Sequence, residues 1–264
     1  MIEMFKSLWR YRFFIITSIK TDFRTKFARS KLGSLWIILN PLSQVLMYAV
    51  VLSAILSSKL PGITSRFGYA IYLLAGTLCW SLFTDVLVKS STMFIDNSNL
   101  IKKMVFPKLA LPSILIGISL INNFILFCSM LLVFGVLGHP IGAEVFWIIP
   151  LMIITILTGL GAGLILGVVN VFIRDVGQII PILLQFSFWF TPIVYPASII
   201  PDKYKYLLNL NPFYGMVSSY QNILVYGENP ELNRLLAACI FSLLLTVTGL
   251  FIFKRASSEI VDAL

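Results

Sequence analysis

The chain has 264 residues, of which 58% are hydrophobic and 12% are charged, and its formal net charge is +9. Soluble domains carry about 25% charged residues, so this composition excludes a soluble globular protein and predicts a single integral membrane domain, residues 1–264. The positive charge does not indicate nucleic-acid binding, because it lies beside apolar segments, where it fixes membrane topology.

The first 31 residues predict an amphipathic helix on the cytoplasmic membrane surface. They contain eight Lys and Arg residues against two acidic residues. Ile16, Ile19, Phe23 and Phe27 recur at spacings of three and four, so they form an apolar stripe opposite a cationic face. A simple topology signal is the alternative interpretation of the same charges.

Six apolar segments between residues 34 and 253 are each long enough to cross a bilayer, which takes about 20 residues. The predicted spans are Ser34–Ser57, Tyr69–Thr92, Pro112–Leu137, Val145–Val171, Gln178–Tyr195 and Leu235–Phe253. An even number of spans puts both termini on one side. The segments on that side carry fifteen Lys and Arg residues against five on the other. Both termini are therefore predicted to be cytoplasmic.

Residues 97–107, between the second and third spans, predict a short cytoplasmic helix. Asn97, Ser98 or Asn99 is a suitable helix cap, and Pro107 ends the helix. Two lysines and several apolar residues lie between these limits. Such a helix is suited to docking a soluble partner, although an ordinary basic loop is equally compatible with the residues.

The fourth span carries one packing signal and one unusual polar residue. Gly159, Gly163 and Gly167 are four residues apart, a spacing that lets a neighbouring helix approach closely. Asn170 is a polar residue one turn inside the end of the span, at the start of the segment NVFIRD. We expect the glycine spacing to be structural, whereas a polar side chain at the depth of Asn170 is unusual.

Residues 197–226, between the fifth and sixth spans, predict short helices that dip into the outer leaflet and return. Pro201, Asn211 and Pro212 interrupt their apolar runs, so no run is long enough to span. Backbone at such depth must be buried in protein or line a wet cavity. A simple amphipathic outer loop is the alternative.

Groups that support chemistry are rare in the spans. Asp85 is the one carboxylate well inside a predicted span, and Lys89 follows it at a spacing that favours a helical ion pair. The three cysteines lie in apolar spans, there is a single histidine, and the sequence contains no GxxxxGK[ST] phosphate loop. We therefore expect neither an enzyme nor a cofactor or metal site on this chain, which argues against a membrane-embedded transferase.

Five motifs, in order along the chain, resemble the ABC-2 type permeases that export polysaccharides. They are Lys31–Trp36 followed by Asn40-Pro41, Asn99–Lys108, the NVFIRD segment, Phe190–Pro196 and Asn211–Phe213. The resemblance covers essentially the whole chain and is strongest to the transmembrane subunits of O-antigen exporters. It implies an all-α membrane fold with six transmembrane helices, an N-terminal interface helix (residues 1–31) and re-entrant gate helices (residues 197–226) before the last span.

The resemblance also implies the assembly and the function. It implies a homodimer in the bacterial inner membrane, surrounded by lipid and paired with two copies of a separate ATPase that holds ATP and Mg²⁺. The implied function is a channel-forming subunit that moves an undecaprenyl-pyrophosphate-linked glycan, an O-antigen, from cytoplasm to periplasm. A capsular polysaccharide or teichoic acid export permease is the alternative, and a small-molecule or drug exporter is the weaker one.

Four groups of site residues accompany this interpretation. The coupling residues, which would seat in the ATPase, are Asn97, Asn99, Leu100, Ile101, Lys102, Lys103, Met104 and Phe106. The entrance residues, near the pyrophosphate of the substrate, are Lys26, Arg29, Lys31, Leu32 and Gly33. The channel candidates, on the first and fifth spans, are Trp36, Asn40, Gln44, Tyr48, Gln185, Phe186, Trp189 and Phe190. The gate residues are Tyr195, Asn211, Phe213, Tyr214 and Tyr220.

Overall fold

The structure is a computed structural model that describes residues 9–26, 30–48, 50, 67–103 and 110–263. The regular structure among these residues is helical, with no strand. The helices, in chain order, are α1 (Arg12–Lys26), α2 (Trp36–Met47), α3 (Gly68–Asp96), α4 (Ser98–Lys103), α5 (Ala110–Val136), α6 (Ile148–Phe172), α7 (Val176–Phe190), α8 (Lys205–Leu210), α9 (Pro212–Gln221) and α10 (Leu232–Ala263). An all-α fold, predicted from the resemblance, is thus confirmed for the described residues.

Helices α3 and α6 form the centre of the fold. In the most apolar stretch of each helix, 72% of the residues are buried in α3 and 67% in α6, the latter counted with its leading turn Ala143–Trp147. The corresponding fraction is 28% in both α5 and α10. A helix that is apolar all round belongs in the interior or in lipid. Consequently α3 and α6 are enclosed by protein, whereas α5 and α10 present most of their apolar surface outward.

Glycines bring the backbone of α6 close to both of its main neighbours, as the spacing of Gly159, Gly163 and Gly167 predicts. A Cβ atom built on Gly163 would lie 2.5 Å from Cβ of Ser90 on α3, and one on Gly167 would lie 2.7 Å from the Ser90 carbonyl oxygen. On another face, a Cβ atom on Gly161 would lie 2.5 Å from backbone atoms of α10. Glycine is therefore required for both helix contacts.

Helices α3, α5, α6 and α10 coincide with the second, third, fourth and sixth predicted spans and are long and apolar enough to cross a membrane. The helix of the sixth span is longer than predicted, and α10 continues beyond Phe253 to Ala263. The first predicted span lies partly outside the described residues. Within them, a turn of 3-10 helix (Gly33–Leu35) leads into α2, which has 12 residues.

The fifth predicted span ends earlier than expected. Helix α7 has 15 residues and stops at Phe190 rather than at Tyr195. Thr191 adopts extended backbone angles, φ −99° and ψ 134°, because the ring of the following Pro192 disfavours the helical conformation in the residue before it. Residues 191–195 consequently form a turn, which we call the α7 turn.

The predicted N-terminal helix is present as α1, and residues 1–8 and 27–29 lie outside the described residues. The helix packs on α5, where Ile19 of the predicted apolar stripe contacts the position of Gly117. Ile16 of the same stripe is 48% exposed. The apolar stripe of α1 is thus divided between a contact with α5 and the outer surface. Lys26 is the last residue of α1, on the side of α2.

Candidate functional site

A polar cavity of about 540 Å³ lies between α1, α2, α3 and α5. Its polar lining consists of Lys26, Asn40, Gln44, Ser81, Thr84, Asp85, Ser119, Asn122 and Asn123. Within each helix these residues are three or four positions apart, so three apolar helices turn a polar face towards one space. Polar groups at this depth are rare in membrane helices and typically face a cavity or a pathway. We call this space the α2–α3–α5 cavity.

The cavity wall contains a carboxylate, Asp85, that is paired with Lys89, and a buried amide, Asn123. Asp85 accepts a hydrogen bond from Nζ of Lys89 at 2.7 Å, which confirms the predicted ion pair, and Lys89 also lies 3.5 Å from Oγ of Ser119. Asn123 is 4% exposed and donates through Nδ2 to the Leu78 carbonyl oxygen at 3.0 Å. Its Oδ1 has no hydrogen-bond partner in the part of the chain that the structure describes.

The entrance residues lie at and before the start of α2. Lys26 lines the α2–α3–α5 cavity, whereas Lys31 and Leu32 are exposed. Gly33 occupies the left-handed region, with φ +52°, in the turn that leads into α2. Arg29 lies outside the described residues. Their role at a substrate entrance stays a prediction.

The channel candidates lie on two separate surfaces. Trp36, Asn40 and Gln44 line the α2–α3–α5 cavity, and Trp36 also donates through Nε1 to Oγ of Ser30 at 3.0 Å. Tyr48 is partly buried against the core. The candidates on α7 are exposed, and they are Gln185, Phe186, Trp189 and Phe190. Within one chain the two sets therefore do not form a common lining.

The α7 turn is fastened to the core by side chains of α3 and α9. The hydroxyl of Tyr72 and Nε2 of Gln221 both donate to the Pro192 carbonyl oxygen, at 3.2 Å and 3.0 Å. The hydroxyl of Tyr69 donates to the Val194 carbonyl oxygen at 2.7 Å. These bonds satisfy carbonyls that the end of α7 leaves unpaired. The end of α7 is thereby fixed relative to the central helix of the fold.

Asn211 joins the α7 turn to the helices that follow. Its Oδ1 accepts the backbone N–H of Phe213 at 3.0 Å, which caps the start of α9, and its Nδ2 donates to Oγ1 of Thr191 at 3.0 Å. Tyr195, the last residue of the α7 turn, bonds back to α7, since its hydroxyl donates to the Trp189 carbonyl oxygen at 2.9 Å. The short helices predicted in residues 197–226 are present, and they are tied to α7 through these contacts.

The remaining gate residues take part in packing. Phe213 lies in an aromatic cluster with Trp80 and Phe83, at ring-centroid distances of 6.0 Å and 4.4 Å. The guanidinium of Arg234 lies 4.9 Å from the ring centroid of Tyr214. Tyr220 is completely buried. Whether these residues act as a gate stays a prediction.

The coupling residues begin at the junction of α3 and α4. Nδ2 of Asn97 donates back to the Met93 carbonyl oxygen at 2.8 Å, so its side chain ends α3, while its carbonyl oxygen accepts the first N–H groups of α4. Ile101 packs against the core where α4 meets α10, and it borders a small cavity together with Phe253. Asn99, Leu100 and Lys102 are exposed. Met104, Phe106 and the side chain of Lys103 lie outside the described part of the chain.

Sequence reasoning missed the α3 and α5 walls of the cavity and the fastening of the α7 turn. The signal for the walls is present: Ser81 and Thr84 on α3, and Ser119, Asn122 and Asn123 on α5, recur at helical spacing within otherwise apolar runs. For Gln221, at the end of α9 after Ser218 and Ser219, the sequence carries no sign of its partner.

Comparison with known proteins gives consistent matches. The family described as ABC-2 type transporter matches residues 14–225. An O-antigen export system permease protein RfbA from Myxococcus xanthus is 28% identical over the full length of both chains. A protein of the same name from Klebsiella pneumoniae is 26% identical over 95% of this chain and 94% of its own. The polysialic acid transport protein KpsM from Escherichia coli is 23% identical over 92% of this chain and 93% of its own.

The match extends from within α1 to residue 225, four residues after the end of α9, so it includes the cavity, α4 and the α7 turn. Together with several helices of membrane-spanning length and composition, it identifies a multi-pass membrane protein. Because the matched region covers most of the sequence, this chain belongs to the ABC-2 type transporter family.

Proposed function

We propose that this chain is the channel-forming membrane subunit of an ABC transporter that exports a lipid-linked polysaccharide, an O-antigen, across the bacterial inner membrane. The observation that carries the proposal is the full-length similarity to O-antigen export permeases from two organisms. The family implies an ATPase partner, and the proposal places ATP and Mg²⁺ on that partner. The distribution of Lys and Arg supports an orientation with both termini in the cytoplasm.

The proposed assembly is a homodimer with two ATPase copies. The exposed surfaces of α2 and α7 are an argument for a second copy of this chain that packs against them. Among the described residues Val45 is the one buried residue of α2, and Ile180 is that of α7. Phe186, Trp189 and Phe190 on α7 are 58–74% exposed. Pairing α2 of one copy with α7 of the other would cover these rings and bring the two sets of channel candidates towards one passage.

In the proposed mechanism, α4 seats in the ATPase and transmits its closure to the spans. The contact of α4 with α10 supports this role, because a displacement of α4 then acts on α3 and on α10 together. Residues 197–226 act as re-entrant gate helices on the periplasmic side. Their bonds to the α7 turn link any movement of the gate to α7.

Deletion and complementation test the proposal. A strain without this chain should accumulate lipid-linked glycan inside the inner membrane and display no surface polysaccharide, and expression of the wild-type chain should restore the surface polysaccharide. Electrophoresis of extracted lipopolysaccharide, with silver staining, measures the result. Unchanged surface polysaccharide in the deletion strain would overturn the proposal and would favour an exporter of small molecules.

Export of a capsular polysaccharide is the second candidate, because the polysialic acid transport protein is similar over nearly the whole chain. The same extracts separate the two candidates. Loss of a ladder attached to lipid A indicates an O-antigen. Loss of a polysaccharide that is not attached to lipid A, with an intact ladder, indicates a capsule.

A further inference from the structure

The mechanism proposed above uses the α2 wall of the α2–α3–α5 cavity, because Trp36, Asn40 and Gln44 are channel candidates, but it gives the polar faces of α3 and α5 no role. We propose that this cavity is a binding site for a neutral sugar segment of the transported glycan. The inference rests on the proposed function and adds to it a sugar site within one chain, which shares its α2 wall with the proposed passage between two chains. The volume of about 540 Å³ lies inside the range of about 300–1,000 Å³ typical of small-molecule sites.

The composition of the lining supports a neutral ligand rich in hydroxyl groups. Among the described residues, seven neutral polar side chains line the cavity, against one lysine and one aspartate. Three of them, Ser81, Thr84 and Ser119, are hydroxyls, and the other four are side-chain amides. Amides and hydroxyls both donate and accept hydrogen bonds, which matches sugar hydroxyls that do the same. A membrane helix carries such residues at a cost unless they face a polar environment.

Asn123 is the strongest single indication of a ligand. The residue is 96% buried in the cavity wall, since only 4% of its surface is exposed, and both bonds of its Nδ2 go to α3. Its buried Oδ1 has no partner among the described residues. A buried acceptor without a donor is costly, so a donor from a ligand would stabilise the site. A sugar hydroxyl in the cavity would supply that donor once a small shift of the wall exposes the buried Oδ1.

The charges of the wall disfavour a phosphate as the ligand. The carboxylate of Asp85 faces the cavity and repels an anion, and its partner Lys89 is already bonded to it at 2.7 Å. Among the described residues Lys26 is the one ammonium group in the lining, so a single net positive charge remains after Asp85 pairs with Lys89, too little to neutralise a doubly charged phosphate. Trp36 adds an aromatic surface, on which the apolar face of a sugar ring can pack.

Equilibrium binding tests the inference. The probe is the neutral, lipid-free oligosaccharide fraction that mild acid releases from the surface polysaccharide of the producing strain, and binding to the purified full-length chain in lipid nanodiscs is measured by titration. The test variants are Thr84→Val and Ser119→Ala. The matched control is Thr77→Val, because Thr77 is on the same helix, also donates to the carbonyl four residues earlier, and does not line the cavity.

We expect saturable binding to the wild type, about 3–10-fold weaker binding to each test variant, and binding to Thr77→Val within about twofold of wild type. Inorganic pyrophosphate should not displace the oligosaccharide. Wild-type affinity in both test variants, or displacement by pyrophosphate, would overturn the inference. Absence of binding to the wild-type chain would also overturn the inference. If that chain still restores surface polysaccharide in the deletion strain, the proposed function stands. Failure to restore the polysaccharide would instead overturn the proposed function, and the inference with it.

Discussion

The side-chain amide of Asn170, at the end of α6, donates a hydrogen bond to the carbonyl oxygen of Ser91 on α3 at 2.9 Å. Its Oδ1 accepts the backbone N–H of Gly177, at the start of α7, also at 2.9 Å. One buried side chain thus joins three helices at the end predicted to be cytoplasmic. This accounts for a polar residue one turn inside an apolar helix, which the sequence marks as unusual and does not explain.

Substitution of Asn170 should therefore destabilise the helix bundle. Hydrogen bonds between membrane helices contribute about 0.6–1.7 kcal/mol each, so Asn170→Ala should lower the free energy of unfolding by about 1–3 kcal/mol. Denaturant unfolding in detergent micelles measures the change. Asn233→Ala, in an exposed position near the start of α10, is the control and should have little effect. Equal stability of the two variants would show that the Asn170 contacts do not hold these helices together.

The close approach of α6 and α10 gives a second prediction. A Cβ atom on Gly161 would lie 2.5 Å from backbone atoms of Leu245 and Thr246, which cannot rotate away. Gly161→Ala should therefore lower the free energy of unfolding by about 1–3 kcal/mol. In α5, a Cβ atom on Gly135 would meet nothing within 4 Å, so Gly135→Ala should be neutral or stabilising by up to about 1 kcal/mol. Thermal unfolding of both variants measures the contrast, and a stabilising Gly161→Ala would contradict the helix packing.

The α7 turn gives a third prediction, about coupling between two donors. Tyr72 and Gln221 both bond to the Pro192 carbonyl oxygen. Tyr72→Phe and Gln221→Leu should each leave one donor in place, whereas the double variant leaves a buried carbonyl unsatisfied. The double variant should therefore lose more stability than the sum of the single variants, by about 0.5–3 kcal/mol.

The control for this cycle combines Gln221→Leu with Tyr69→Phe, because Tyr69 bonds to Val194 instead. Those two changes should be closer to additive. Chemical unfolding of all variants provides the free energies. Full additivity of the Tyr72 and Gln221 changes would mean that the two side chains do not share this acceptor.

The proposed docking of α4 gives a fourth prediction, about function. Charge reversal by Lys102→Glu with Lys103→Glu should abolish surface polysaccharide while the amount of protein in the membrane stays normal, because the ATPase no longer seats on α4. Immunoblots of membranes and lipopolysaccharide gels of the complemented deletion strain provide the two measurements. Lys59→Glu, on the predicted opposite side of the membrane and outside residues 197–226, is the control and should export normally. Normal polysaccharide in the Lys102/Lys103 variant would refute the assignment of α4.

The long apolar helices are predictable from the sequence because their length and composition leave no alternative to a membrane or a protein interior. The ion pair of Asp85 with Lys89 and the glycine contacts of α6 are also predictable, since each depends on spacing within one helix. The early end of α7 is a different case. Apolar residues continue to Tyr195, and the local effect of Pro192 on Thr191 outweighs the hydrophobic pattern.

The α2–α3–α5 cavity shows why a site is harder to predict than a helix. Ser81, Thr84, Ser119 and Asn122 are each unremarkable in their own helix, because a hydroxyl can bond to the preceding turn and an amide is tolerated. Their importance arises when α3 and α5 turn the same faces towards α2. That relation depends on tertiary packing, which single-helix spacing does not contain.

Reconstitution tests most directly the claim that this chain is a polysaccharide permease powered by a separate ATPase. Lipid-linked glycan is placed in proteoliposomes that contain this chain alone or with its ATPase, and transfer across the bilayer is measured by accessibility of the glycan to an external glycosidase. We expect transfer when the chain, the ATPase and ATP are all present, and none when any one is omitted. ATP hydrolysis by the purified chain alone, or no transfer by an active complex, would contradict the claim.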